Sequence, residues 1–143
     1  MDISQWDELR LSIHEAFYDD LVKTSDCGAF DGGCLVVAKA LQAVIGGEIV
    51  VLVRDDDTAD HAAVASRGLI WDYDGPLTPS QFIERFNRQE LSHLPWECSG
   101  YRPIRDNDLP RAFRDDALVL RLAAHFAEML VDQDIPTTRS IER

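Results

Sequence analysis

Three short runs with the composition of β-strands lie close together in the middle of the chain, at residues 48–53, 61–66 and 69–73. A parallel neighbour needs a crossover of about a dozen residues or more, so these short connections favour an antiparallel meander. The chain is therefore expected to fold around one small antiparallel sheet of three strands, or slightly more.

Apolar residues at helical spacing occur on both sides of the strands. The predicted helices cover residues 4–22, 32–44, a stretch that begins at Pro79, and 110–131. Ser4 and Asp31 are the expected N-caps of the first two helices, because short polar side chains accept hydrogen bonds from the first turn. Residues 92–108 show no regular pattern and are predicted to be irregular.

These elements together predict an α+β fold, in which the N-terminal, the Cys34-bearing and the C-terminal helices pack on the sheet. A length of 143 residues suits a single domain over residues 1–143, whose C-terminal part, residues 78–134, is helical. The cysteines Cys27, Cys34 and Cys98 are too few and odd in number for a disulfide framework. With no signal peptide and no apolar run long enough to span a membrane, we expect a cytoplasmic protein.

The net charge of −12 limits the class of partner. Nucleic-acid binding needs Lys and Arg to replace counterions on the phosphates, so direct nucleic-acid binding is not expected. A basic protein partner, or imitation of nucleic acid by this protein, stays open beside a simple role in solubility. The acidic segment 55–60 lacks the Gly and distal Glu of a calcium loop and is interpreted as a solvated loop.

Cys34 directly follows Asp31, Gly32 and Gly33 at the start of the second predicted helix. With Asp31 as N-cap, the thiol occupies the third helical position, where unpaired N–H groups and the helix dipole favour a thiolate. Gly32 and Gly33 leave room for a substrate carbonyl and offer backbone N–H groups to an oxyanion. The alternatives are a small buried core cysteine and glycines needed only by the loop.

The register of the last two strands decides whether His61 meets a carboxylate. A two-residue turn at 67–68 places His61 opposite Asp74 with Asp72 diagonal on the same face, whereas a turn at 66–67 places it opposite Asp72. A three-residue turn would put both carboxylates on the other face. We favour Asp72 because it follows an apolar stretch, and keep Asp74 as the alternative.

Cys34, His61 and Asp72 could instead bind zinc, with Cys27 or Cys98 as the fourth ligand. No paired spacing of Cys or His supports such a site in the sequence. We therefore predict neither a metal nor a cofactor.

Three features of the sequence resemble the papain-like cysteine hydrolase superfamily. They are the motif 31–34 before an Ala- and Leu-rich helix, His61 at the start of a strand, and the motif 71–75 (Trp-Asp-Tyr-Asp-Gly). The resemblance covers residues 26–75. It is greatest to compact bacterial and phage-associated members, such as papain-fold toxin domains, and to transglutaminase-like relatives. It implies Cys34 as the nucleophile, His61 as general base and acid, and Asp72 as the residue that orients the imidazole.

Papain-like peptidases usually have an oxyanion-hole Gln shortly before the cysteine, and residues 26–33 contain none. The resemblance implies a thiol hydrolase or acyltransferase acting on a protein or peptide, as a peptidase, amidase, deamidase or transglutaminase. The alternative from another class is a non-enzymatic acidic binding or inhibitor protein. Such a protein would be a nucleic-acid mimic or a papain-like module without catalysis.

Overall fold

The computed structural model describes residues 1–131 and 133, and in this part of the chain it has an α+β fold with five helices and five strands. The elements in chain order are α1 (Ile3–Leu11), α2 (His14–Ser25), α3 (Cys34–Ile45), β1 (Glu48–Val53), β2 (Ala59–Ser66), β3 (Leu69–Asp72), β4 (Gly75–Leu77), α4 (Pro79–Glu90), β5 (Gly100–Pro103) and α5 (Asp116–Leu130). The predicted fold class is confirmed. None of the described helices combines the length and the apolar character needed to cross a membrane.

All strands belong to one antiparallel sheet with the order β4-β3-β2-β1-β5. The three predicted strands are its centre, and β2 and β3 are joined by the two-residue turn Arg67–Gly68, since Ser66 pairs with Leu69. Both turn residues have positive φ, as the tight turns that suit the twist of a hairpin require. The prediction of an irregular segment 92–108 is wrong at β5, which has only four residues and pairs with the distant β1.

The N-terminal region forms two helices where one was predicted. Asp2, and not Ser4, caps α1: its side chain accepts from the backbone N–H of Gln5 while the Gln5 side chain accepts from the Asp2 N–H. At the break, Ser12 and Ile13 donate to carbonyls three residues back, which tightens the chain into a turn. This turn leaves Ile13 buried at the start of α2.

The start of α3 also differs from the prediction. Gly33 is the N-cap, so Cys34 occupies the first helical position and not the third. Asp31 does not cap the helix, because its carboxylate accepts a hydrogen bond from the backbone N–H of Gly28. Short acidic side chains compete in this way for nearby backbone donors, and here the loop takes the side chain that the helix was expected to use.

The last helix is shorter than predicted and begins at Asp116, with the Asp115 side chain accepting from the Leu118 N–H. Residues 110–115 are a loop, tied to the cysteine-bearing segment by a hydrogen bond from Phe113 N–H to the carbonyl of Gly32. The predicted helical part 78–134 therefore contains β5 and this loop. Its last residue lies outside the described residues.

Two apolar clusters cover the two faces of the sheet. The larger cluster joins α1, α2, α3 and α5 to one face, and Trp6 lies at its centre, fully buried, with its indole N–H donating to the carbonyl of Tyr73 at 2.9 Å. The smaller cluster packs α4 on the other face through Phe82 and Phe86. Phe30 is the partly buried residue, among those described, that packs against both clusters.

Candidate active site

The structure brings Cys34, His61 and Asp72 together at the first turn of α3, on β2 and at the end of β3. His61 Nε2 and Asp72 Oδ2 are 2.9 Å apart. The observed two-residue turn puts Val64 opposite Trp71, so the same register extended along the strands places His61 opposite Asp74 and Asp72 on the same face. Period-two alternation and a tight turn are thus sufficient to explain why this imidazole meets this carboxylate.

The second ring nitrogen of His61 is the one left for the thiol. Nε2 is engaged by Asp72, whereas Nδ1 is buried and has no hydrogen bond to any described residue. The Cys34 side chain interacts with the ring closely enough for each group to change the pKa of the other. The thiol therefore lies near the ring, and Nδ1 makes no hydrogen bond among the described contacts.

Burial alone would raise the pKa of the Cys34 thiol, because an anion loses its hydration in the interior. The nearby His61 ring acts against burial and lowers the pKa through its proximity and charge. The backbone N–H groups of Ala62 and of Cys34 itself add to its effect, so the pKa is lowered overall. The charge partner and the helix start thus stabilise the same species, a thiolate.

Burial alone would lower the pKa of His61, but the Asp72 carboxylate and the Cys34 thiolate together raise it to about 10. A positive ring between two anionic groups is favoured in the interior over a neutral ring beside an isolated carboxylate. Both pKa shifts therefore act in the direction of a thiolate–imidazolium pair beside the Asp72 carboxylate.

Asp72 is fixed from its other side. Its Oδ1 accepts from the backbone N–H of Asp74 at 2.8 Å and faces Arg85 Nη2 at 3.4 Å. Asp74, the alternative orienting residue, is bound to Arg10 Nη1 at 2.6 Å and makes no hydrogen bond to His61 among the described contacts. Burial and the neighbouring Asp72 charge raise the pKa of Asp74. Of the two carboxylates, Asp72 and not Asp74 is therefore the hydrogen-bond partner of His61 among the described contacts.

Aromatic rings enclose the imidazole. Phe30 and Phe86 stack on His61 with ring centroids 5.3 and 4.7 Å away, and Phe82 lies at 6.3 Å. The exposed fractions are 6% for Cys34, 1% for His61 and 4% for Asp72. The three groups are assembled and almost completely covered by the surrounding protein.

Gly32 and Gly33 serve the loop in this structure. The Gly33 N–H donates to the carbonyl of Gly28 at 2.9 Å and is not free for an oxyanion. Gly32 has φ of +135°, and a Cβ atom there would lie 2.8 Å from the sulfur of Cys27. Loop geometry alone therefore requires both glycines, and the N–H groups that stabilise the thiolate come from Ala62 and Cys34.

The sequence did not indicate Arg85 or Phe30 as parts of the site. Arg85 shares a helical face with Phe82 and Phe86, at positions i, i+3 and i+4 of α4, which is a signal present in the sequence. Nothing local to Phe30 predicts its stacking on a residue of β2, because that contact depends on the packing of the whole loop.

No protein-family model matches this chain. No curated protein and no solved structure matches it significantly either. Among residues 1–131 and 133, no group of three or more His, Cys, Asp or Glu side chains is arranged to hold a metal ion.

The raised pKa of His61 predicts an imidazolium well above neutrality. Nitrogen NMR of the ring should show both nitrogens protonated at pH 8.5, about two units above the ordinary value, with deprotonation near 10. Because the pKa of His61 is higher in the folded protein than in the unfolded chain, protonation of His61 stabilises the fold. This stabilisation is complete at pH values below 6.5, the unfolded pKa, and is lost as the pH rises through about 10.

Cys34→Ala removes one of the two anionic neighbours and should lower the pKa of His61 relative to the unmodified protein. A neutral ring at pH 8.5 in the unmodified protein, about two units above the ordinary value, would contradict the ion pair.

Proposed function

We propose that this protein is a papain-like thiol hydrolase or acyltransferase that acts through Cys34, His61 and Asp72. The observation that carries the proposal is the juxtaposition of a thiol of lowered pKa, an imidazole of raised pKa and a carboxylate 2.9 Å from that imidazole. Nucleophile, proton carrier and orienting group are the three parts that acyl transfer by a cysteine requires.

The Cys34 thiolate attacks the carbonyl carbon of an amide or thioester, a C–S bond forms, and the electron pair moves to the carbonyl oxygen. The carbonyl then re-forms as the bond to the leaving amine or thiol breaks, and the imidazolium of His61 gives that group its proton. The product is a thioester on Cys34. Neutral His61 next takes a proton from water, or from an acceptor amine, which attacks the thioester and releases Cys34 as a thiolate.

Asp72 supports both steps without exchanging a proton itself. Its Oδ2 holds the Nε2 side of the ring, which directs Nδ1 toward the thiol, and its charge stabilises the imidazolium. Asp72 is itself fixed by Arg85 and by the backbone of Asp74. We propose a protein or peptide as the substrate, a cytoplasmic location, and a reaction without a metal or cofactor.

The second candidate is an acidic binding protein, and the burial of the triad favours it in the form of a module without catalysis. The nucleic-acid mimic is less well supported. Asp57 is bound by Arg102 and Arg105, and Asp60 by Arg54, so part of the charge in the acidic segment is neutralised within the protein.

The rate of Cys34 alkylation as a function of pH distinguishes these functions. At pH values below its pKa, an ordinary thiol reacts about tenfold faster for each unit by which the pH is raised, because only the thiolate is nucleophilic. The rate of Cys34 with iodoacetamide is measured by mass spectrometry at reagent concentrations to which it is proportional. Because the pKa of this thiol is lowered, its rate should rise much less steeply with pH below 9 than that of an ordinary thiol. The slope reports the ionisation of the thiol separately from its accessibility.

Cys98 is the internal control, because burial and the adjacent Asp60 raise its pKa to about 12 and its rate should climb steeply over the same pH range. N-acetylcysteine provides the external reference. A Cys34 rate that climbs in parallel with that of N-acetylcysteine would favour the binding module.

A further inference from the structure

The crevice beside the catalytic groups is closed in this structure. It is too narrow to admit a water molecule and is lined by Phe30, Phe82 and Phe86 together with polar residues of α4 and Asp72. The ring of Phe30 lies nearly parallel to that of His61, with 16° between the two planes. The face of the His61 ring toward Phe30 is therefore covered by an aromatic ring, and the crevice beside Asp72 has no room for water.

The backbone around Phe30 is held on both sides. Ala29 is buried, and the N–H of Gly28 is bound by the Asp31 carboxylate. Beyond Phe30, the N–H of Gly33 donates to the Gly28 carbonyl, and the carbonyl of Gly32 accepts from Phe113. These contacts fix the main chain of residues 28–33 and do not involve the Phe30 side chain.

The side chain of Phe30 is by contrast only partly buried. It lies where the two apolar clusters meet, packing against both the cluster that contains Cys34 and the cluster that contains Phe86. The backbone hydrogen bonds described above do not hold the Phe30 side chain, so its rotation alone would leave them intact. Side-chain rotation is fast compared with loop opening.

We propose that Phe30 is a gate over the Cys34–His61 pair. The ring keeps the ion pair dry and inaccessible in the free protein, and substrate gains access when the ring rotates out. The inference rests on the proposed function, because it describes access to the same nucleophile.

The test compares Phe30→Ala with Phe113→Ala, which truncates a partly buried phenylalanine in the neighbouring loop 110–115, whose backbone is hydrogen-bonded to Gly32. At about pH 6, Cys34 in Phe30→Ala should react with iodoacetamide at least about tenfold faster than in the unmodified protein, while Phe113→Ala leaves the rate unchanged. The bulkier N-ethylmaleimide should show a larger acceleration than iodoacetamide, because the obstruction is steric.

Cys98 separates local opening from loss of structure. A gate accelerates Cys34 alone, whereas general loosening of the fold also accelerates the buried Cys98. Phe30→Leu keeps apolar volume without the stacked ring, so it retains the fold if Phe30→Ala does not, and it should give an acceleration of about threefold to tenfold.

The gate would be overturned if Cys34 in Phe30→Ala and Phe30→Leu reacted no faster than in the unmodified protein. Parallel acceleration of Cys98 in these variants would also overturn it. The proposed function is judged by another quantity, the slope of the Cys34 rate with pH in each protein. A shallow slope without acceleration by Phe30→Ala rejects the gate alone. Acceleration with an ordinary, steep slope rejects the catalytic thiolate alone.

Discussion

His61→Ala is expected to slow the alkylation of Cys34 at about pH 6 by about 100-fold or more. Without the imidazolium, burial dominates and the thiol pKa returns at least to its ordinary value of 9.0. A thiol with that pKa is a thiolate in about one molecule in a thousand at pH 6. The cavity left by the ring eases access and offsets part of this loss, which is why the expected effect is smaller than the loss of thiolate.

The measurement is the Cys34 alkylation rate by mass spectrometry, with His93→Ala as the matched control. His93 is exposed on the loop after α4, so its removal should leave the rate unchanged. The difference between His61→Ala and the unmodified protein should shrink as pH approaches 9.0, where an ordinary thiol ionises without help. An unchanged rate in His61→Ala would show that the imidazole does not activate the sulfur.

Asp72→Asn is expected to lower both the reactivity of Cys34 and the stability of the fold. The pKa of His61 falls when its carboxylate partner is lost, and the thiolate loses part of its counter-charge, so alkylation at about pH 6 should slow at least about tenfold. Arg85 then faces a neutral amide in a site that is almost fully buried. Breaking a buried ion pair from one side typically costs about 3 kcal/mol, and the free energy of unfolding should fall by this amount.

Asp74→Asn is the matched control, because it removes the neighbouring carboxylate in the same turn. Asp74 pairs with Arg10, and both side chains are partly exposed, so we expect a loss of about 1 kcal/mol or less and no change in Cys34 reactivity. Chemical denaturation and alkylation rates measure the two effects on the same samples. A larger loss of reactivity in Asp74→Asn than in Asp72→Asn would show that Asp74, and not Asp72, orients the imidazole.

The centre of the fold was predictable because its signals are local. The strand 48–53 is found with the predicted bounds, and the turn at 67–68 is one of three that the sequence allowed. Once that turn is known, alternation along the strands places His61 and Asp72 on one face. Proximity along the chain and a period of two therefore determine most of this part of the site.

The features that were missed depend on distant contacts. The strand β5 is four residues long and is defined by its pairing with β1, about 50 positions earlier in the chain. The cap of α3 shifted because the Asp31 side chain had a competing donor in Gly28. The closure of the site by Phe30 results from packing between a loop and α4, and the sequence pattern of neither segment predicts this contact.

The most direct measurement is the ultraviolet titration of the Cys34 thiolate in a Cys27→Ser/Cys98→Ser background, taken as the difference from the same protein with Cys34→Ser. The difference isolates the absorbance of one sulfur. We predict that the thiolate signal persists far below the ordinary thiol pKa of 9.0 and that His61→Ala abolishes it there. A signal that develops only at or above 9.0, and is indifferent to His61→Ala, would contradict the account.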